Sequence, residues 1–297
     1  MPLKSIDSLQ NALSENRYIA ERGLATSIFL AHKLSRPLFL EGDPGVGKTE
    51  IAKVMASILD TDLIRLQCYE GLDVHHAVYE WNYTRQMMTI RLMESQGEET
   101  TEEELFSEKF LLSRPLLQAI ENSREKAPVL LVDEVDRSDE EFEAFLLEVL
   151  SDFQITIPEI GTIKAEKPPF VVITSNRTRE VHDALKRRCL YYWIDYPSFE
   201  KELNIVKTKI PEAPAKLANQ ITRFIQDLRE MDLYKIPGVA ETIDWTTALL
   251  ALNEEALSEK IVVDTLGVIL KYQDDIDKIN KEELRGILNR VEAANIS

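Results

Sequence analysis

Residues 42–49 read GDPGVGKT, between an apolar run, Pro37 to Leu40, and a segment of helical periodicity, Lys48 to Leu59. A glycine-rich turn that closes a buried strand and opens a helix constrains the rest of the chain. The strand must be covered on both faces, and the helix start aims unpaired N–H groups into the turn. Gly42, Gly45 and Gly47 let successive backbone amides curl around one centre. With the helix dipole added, the natural occupant of that curl is a phosphate. Lys48 then serves the terminal phosphates of a nucleotide and Thr49 offers a hydroxyl to Mg²⁺. Asp43, Pro44, Val46 and Glu50 complete the candidate ATP-binding stretch. A tight turn alone would explain the glycines but not a lysine followed by a threonine.

The pattern beyond this turn alternates strand-like and helical runs, which predicts an α/β fold with a parallel sheet under helices. Five strands are expected: Pro37 to Leu40, Leu63 to Gln67, Val129 to Val132, Phe170 to Thr174 and Leu190 to Ile194. Asp139 to Leu150 repeats Phe142, Phe145, Leu146 and Val149 at helical spacing. After Tyr196 and Pro197 only helical periodicity remains, broken at 210–214 and 236–239, with Asn280 and Glu283 spaced as a capping box. The expected division is an α/β nucleotide-binding domain over 1–196 and a small all-helical domain over 197–297. Two stretches stand outside that plan. The carboxylate-rich 94–108 reads as a solvated loop or frayed helix end, and 153–165 as two short strands around a Pro-Glu-Ile-Gly turn.

Bulk charge removes one class of function. With 52 Asp plus Glu against 35 Lys plus Arg, the chain carries −17. Its longest basic stretch is Lys186, Arg187 and Arg188, so no face is predicted to hold a phosphate backbone, and no nucleic-acid partner is expected. No apolar run reaches the ~18 residues that span a bilayer, so no membrane span is expected, and the start lacks the pattern of a cleaved leader. A cytoplasmic protein is the expectation. Cys68 and Cys189, the 2 cysteines, lie far apart among apolar or aromatic neighbours, which suits buried, reduced side chains. His75 and His76 stand too isolated to argue a metal site.

A phosphate loop serves kinases, GTPases and motor ATPases alike, and the next buried strand distinguishes them. It ends VLLVDEVD, Val129 to Asp136. Asp133 at its tip suits Mg²⁺ through a water, and Glu134 suits a general base polarising the attacking water. A GTPase would carry Asn-Lys-x-Asp, which is absent from the sequence. The following strand, FVVITSN, ends in Asn176, an amide able to donate and accept beside a γ-phosphate. Arg187 and Arg188 then close a short helix, where cations favour the dipole. That accounts for one base more easily than three. The alternative is a guanidinium that reaches the nucleotide of a neighbouring subunit, Arg188 first and Arg187 second, an effect of about 10³ to 10⁵ in rate.

Phosphate loop, Asp-Glu strand, Asn-ended strand, Arg pair and helical tail, in that order, resemble the AAA+ ATPases. LEGDPGVGKTE, LLVDEVDR, TSNRTRE and LKRRCLYYWIDYP are similar to the MoxR family. QCYEGLDVHHAVYEWNY, 67–83, resembles its branch containing CoxD, a maturation factor for carbon monoxide dehydrogenase. The resemblance implies a five-stranded sheet of order 5-1-4-3-2 and a helical lid. It also implies a homo-oligomeric ring, usually hexameric, with ATP between subunits. Mg²⁺-dependent hydrolysis would drive chaperone-like remodelling or maturation of a protein client such as a metalloenzyme, often with a von Willebrand factor A domain partner. The 153–165 stretch is implied to be an insert that interrupts a helix and faces the ring. The family's lid often senses nucleotide through an arginine, whereas this chain has Glu241 at that place. Two other functions fit the phosphate loop: a small-molecule kinase, and an assembly module switched by ATP with little turnover.

Overall fold

Short runs of Val, Leu, Ile and Phe, too short for helices and rich in β-branched residues, become strands in the computed structural model. It describes residues 3–97, 101–121 and 126–293, without the side chains of Val74 and His75. In chain order the strands are β1 (Leu38–Gly42), β2 (Leu63–Gln67), β3 (Tyr79–Trp81), β4 (Leu111–Ser113) and β5 (Val129–Asp133). They continue as β6 (Gln154–Ile157), β7 (Gly161–Lys164), β8 (Phe170–Ser175) and β9 (Leu190–Ile194).

The main sheet has the order β2-β5-β8-β1-β9. Counted as the five predicted strands, that is the implied order 5-1-4-3-2. β2 pairs β5, β5 pairs β8 and β8 pairs β1, all in parallel. The three inner strands are buried along their whole length, whereas β2 and β9, at the edges, are only partly covered. The parallel register brings the C-terminal ends of β2 and β5 level, with Gln67 opposite Asp133. Polar side chains at those ends therefore converge at one edge of the sheet, the usual place for a site in an open α/β fold.

Two compact units divide the chain. One holds the segment up to Ala12, Glu21–Glu41 and Thr49–Trp193. Its core includes Phe39, Leu66, Leu117, Leu130, Val132 and Ile173. The acidic 94–108 stretch is more ordered than expected where it is described. Helix Tyr83–Gln96 stops at Gly97, in the left-handed region, and Thr101 and Glu104 form a reciprocal capping box that starts the helical turn Glu102–Leu105. Residues 98–100 of that stretch lie outside the described residues. β6 and β7 form the expected hairpin. It does not interrupt a helix, however. Helix Glu140–Asp152 runs unbroken and ends at Phe153, whose φ of 49° turns the chain into β6. The antiparallel pair β3–β4 has no counterpart in the predicted elements.

The other unit holds residues 13–20, the loop Gly42–Lys48 and everything described from Ile194 onward. Its helices are Phe199–Lys209, Ala215–Arg229, Val239–Ala251, Glu259–Ile269, Gln273–Lys278 and Lys281–Ala293. They close over Trp245, which packs 5.2 Å from Phe224 and donates its indole N–H to Thr265 Oγ1 at 2.8 Å. Asn280 Oδ1 accepts from the N–H groups of Glu282 and Glu283, capping the last helix. Glu202 and Arg229 form a fork-to-fork ion pair, both contacts at 2.7 Å, with Glu202 wholly buried. Thr242 and Gln226 donate to the remaining lone pairs of Glu202, so the buried charge is fully satisfied.

Candidate nucleotide site

The loop Gly42–Lys48 owes its shape to residues that nothing bulkier could replace. Gly45 has φ +81°, left-handed, and a Cβ there would meet Glu241 Oε2 at 2.9 Å. Facing it, Gly238 lies so close that a Cβ would stand 2.8 Å from Pro44 O. Ala240 N–H donates to Gly45 O at 3.1 Å. Lys48, buried, curls back and donates from Nζ to Gly42 O and Asp43 O, each at 2.7 Å. Those bonds hold its ammonium inside the curl of the loop. Val46 is buried too, while Glu50 pairs with Lys53 at 3.4 Å on the helix. Glu241, at the place of the implied arginine, accepts from Gly238 N–H at 2.9 Å and so caps helix Val239–Ala251.

Thr49, Asp133, Glu134 and Asn176 come together at the ends of the parallel strands. Thr49 Oγ1 donates to Asp133 Oδ1 at 3.0 Å. Glu134 follows β5 with φ +56° and ψ +52°, an unusual conformation for a residue with a long side chain. Its backbone N–H donates to Thr174 Oγ1 at 2.9 Å, and Thr174 passes its own proton to Asp133 Oδ1 at 2.6 Å. The strained turn is thereby tied to the neighbouring strand. At the Glu134 carboxylate, Asn176 Nδ2 donates to Oε1 at 3.0 Å and Gln67 Nε2 to Oε2 at 3.1 Å. Asp136, buried, accepts from Asn176 N–H, Thr178 N–H and the Thr178 hydroxyl, and fixes the turn that presents Asn176.

The three consecutive bases divide their work. Lys186 approaches both oxygens of the buried Glu41 at 3.4 Å and lies 5.6 Å over the Phe39 ring. Tyr191 also donates to Glu41 at 2.9 Å, and burial, then that bond, pushes the phenol up to about 12. Arg188 donates to Leu147 O at 2.6 Å and to Ser151 Oγ, both on helix Glu140–Asp152 of the same chain. Among the described residues the Arg187 side chain pairs only with Asp183, at 3.8 Å, and it is 82% exposed. Neither arginine joins Glu134 and Asn176 within the chain. Both cysteines are buried and free, as expected, and burial pushes each thiol up to about 12.

Arg65, Gln67, Thr174 and Asp136 were not singled out by sequence reasoning. Arg65 Nε and Nη2 both donate to Asp133 Oδ2, at 3.0 and 2.6 Å. A signal for β2 was available. In LIRLQ Ile64 and Leu66 face one way and Arg65 and Gln67, with Leu63, the other, so an arginine and an amide end the strand beside the Asp-Glu strand.

A family profile for the AAA domain (dynein-related subfamily) matches residues 37–189, which hold β1, β5, β8 and the Thr49, Asp133, Glu134 and Asn176 cluster. An uncharacterized protein of Staphylococcus aureus (strain bovine RF122 / ET3-1) is 27% identical over 274 residues, 87% of this chain and 90% of its own. A counterpart in strain NCTC 8325 / PS 47 is 26% identical over the same shares. Among solved structures, a candidate ATPase from Cytophaga hutchinsonii superposes with a TM-score of 0.48 at 15% identity, over 97% of this chain and 95% of that one. Because the matched family spans more than half the chain and includes the cluster at the strand ends, this protein belongs to the AAA domain family, dynein-related subfamily.

Proposed function

We propose that this protein is a Mg²⁺-dependent ATPase that works as a homo-oligomer and couples hydrolysis to remodelling or maturing a protein client, as in the MoxR branch it resembles. One observation carries the reading: the Glu134 carboxylate receives one neutral amide at each oxygen, from Asn176 and Gln67, while Asp133 beside it bonds to Thr49. Each oxygen of a carboxylate has two acceptor positions; Oε2 also meets Arg137 Nη1 at 3.4 Å, so the room for the hydrogen of a water is at Oε1. As that water attacks the γ-phosphorus of ATP, its proton passes to Glu134 and the bond from phosphorus to the ADP oxygen breaks. Asn176 positions Glu134, and Lys48 with the loop amides holds the phosphates. Thr49 and Asp133 are hard oxygen donors at 3.0 Å from each other and fit Mg²⁺. Bound there, the ion neutralises charge on the phosphate oxygens.

Arg187 is the residue we assign to the neighbouring subunit's γ-phosphate. Its guanidinium is exposed, whereas Arg188 is engaged by Leu147 and Ser151 and secures helix Asp183–Arg188 that carries both. The test is phosphate release from ATP with Mg²⁺ and no acceptor, alongside light scattering with and without nucleotide. Release that rises with assembly is expected. Transfer to a small acceptor in place of water supports a kinase, and assembly without turnover supports a switch. A lone, never-associating chain that hydrolyses at full rate removes the cross-subunit arginine. Co-purification on Glu134→Gln would then identify the client.

A further inference from the structure

Asp133 has four acceptor positions, and four donors of its own chain fill them. Oδ1 takes the hydroxyls of Thr49 and Thr174, at 3.0 and 2.6 Å. Oδ2 takes Nε and Nη2 of Arg65, at 3.0 and 2.6 Å. An ionised carboxylate accepts at about four positions, so any ligand or ligand-bound water that Asp133 receives must displace one donor. The four are not equally replaceable. Thr174 is buried and its oxygen is also bound to Glu134 N–H. Thr49 can keep donating to Asp133 while its lone pairs face a cation. Arg65, on the edge strand β2, is 53% exposed and loses least on turning out to solvent.

Arg65 also touches the second carboxylate at one remove. Its Nη2 donates to Gln67 Oε1 at 2.5 Å, which fixes the amide with its nitrogen toward Glu134 Oε2, 3.1 Å away. One guanidinium thus fills both acceptor positions of Asp133 Oδ2 and sets the amide that, together with Arg137 Nη1 at 3.4 Å, restrains Glu134 Oε2. We propose that Arg65 is a positioning residue that competes with the divalent cation for Asp133, so that cation uptake displaces the guanidinium and loosens the hold of Gln67 on Glu134. This rests on the ATPase reading above. It makes the general base available only after the metal has arrived, and it explains an arginine beside a carboxylate that is to serve a cation.

The decisive measurement is Mn²⁺ binding to the full chain with saturating ADP, read by the loss of the free Mn²⁺ resonance. ADP affinity in EDTA is measured in parallel with a fluorescent analogue. Removing a competitor tightens the metal, whereas structural damage weakens it. Arg65→Gln is expected to lower the Mn²⁺ half-saturation by about three- to tenfold, the range for one half-exposed charge-assisted contact, with ADP binding in EDTA unchanged. Arg65→Lys keeps the charge without the fork, and is expected to fall between Arg65→Gln and wild type. Should Arg65→Gln fail to fold, Arg65→Lys decides by the same criterion. Half-saturation unchanged or raised, with ADP still bound, overturns the competition. A wild-type chain that binds no nucleotide at all overturns the ATPase reading and this inference together.

Discussion

Asn176 and Glu134 are joined by one hydrogen bond, Nδ2 to Oε1 at 3.0 Å, across 42 positions of sequence. Glu134 sits at φ +56° and Asn176 follows directly on β8, so the bond exists only because β5 and β8 pair in parallel with their ends level. A glutamate on a left-handed turn would otherwise sample several orientations. Tied from both oxygens, it presents one.

Glu134→Gln keeps the shape and removes the base. ATP affinity is expected to stay within about twofold, while phosphate release falls by ~10²-fold or more. Equilibrium binding of a fluorescent ATP analogue, together with a steady-state phosphate assay, separates the two. Unchanged turnover would take Glu134 out of the base role.

Asp136 acts one step further back, because it holds the turn that presents Asn176. In Asp136→Asn one acceptor oxygen becomes a donor, so a carboxylate oxygen no longer receives both the N–H and the hydroxyl of Thr178. The expected result is a fall in kcat of about tenfold with KM preserved. Asp136→Ala leaves those donors without an acceptor and is expected to cost about 3 kcal/mol of stability as well, measured by urea unfolding. Equal kcat in wild type and Asp136→Asn would show that the turn needs no such anchor.

For the arginines the order of effects is specific. Arg187→Ala is expected to bind ATP normally and hydrolyse it ~10³-fold more slowly, with activity returning in mixed assemblies that also contain Glu134→Gln. Arg188→Ala loses its bonds to Leu147 and Ser151, so its defect is expected to include a lower Tm and not to be rescued by mixing. Complementation that restores Arg188→Ala but never Arg187→Ala would exchange the two roles.

The buried Glu202–Arg229 pair makes the helical unit sensitive to loss of either partner. Arg229→Met strands Glu202, which is wholly buried, and is expected to cost about 3 to 5 kcal/mol. Adding Glu202→Gln removes the uncompensated charge and is expected to recover much of that loss in urea unfolding. A double variant as unstable as the single one would argue against charge as the cause.

The thiols give a pH-dependent prediction. Folding raises Cys68 and Cys189 from 9.0 to about 12, with burial as the first cause and the nearby carboxylates adding to it at Cys68. The folded state binds those protons more tightly than the unfolded one. Their contribution to stability is therefore complete below about pH 9 and is lost as the pH rises from there toward 12. Native protein is expected to resist iodoacetamide at pH 8.5 and to react at both cysteines in urea. Rapid labelling of the folded chain would show a thiolate that burial does not protect.

The local part of the architecture was legible in the sequence. Gly42 to Thr49 is contiguous, and its chemistry depends on neighbours in the chain, so the loop, the helix Lys48–Leu59 after it and the Asp133–Glu134 pair could be identified residue by residue. The five strands were readable because doubly covered strands leave dense apolar runs. β3 and β4, three residues each, leave no such trace. The 153–165 hairpin was visible through its turn, but whether it broke a helix or followed one depended on how far helix Glu140–Asp152 continued.

Tertiary structure alone decided which side chains surround the two acidic residues and which base is left facing solvent. Arg65 lies 68 positions from Asp133, Thr174 lies 41, and Lys186 reaches Glu41 across 145. No spacing rule operates over such separations, because parallel pairing and helix packing set them. Lys186, Arg187 and Arg188 are alike in sequence, three cations in a row. They differ once folded, because successive residues of a helix point about 100° apart and meet a buried glutamate, solvent and a neighbouring helix in turn.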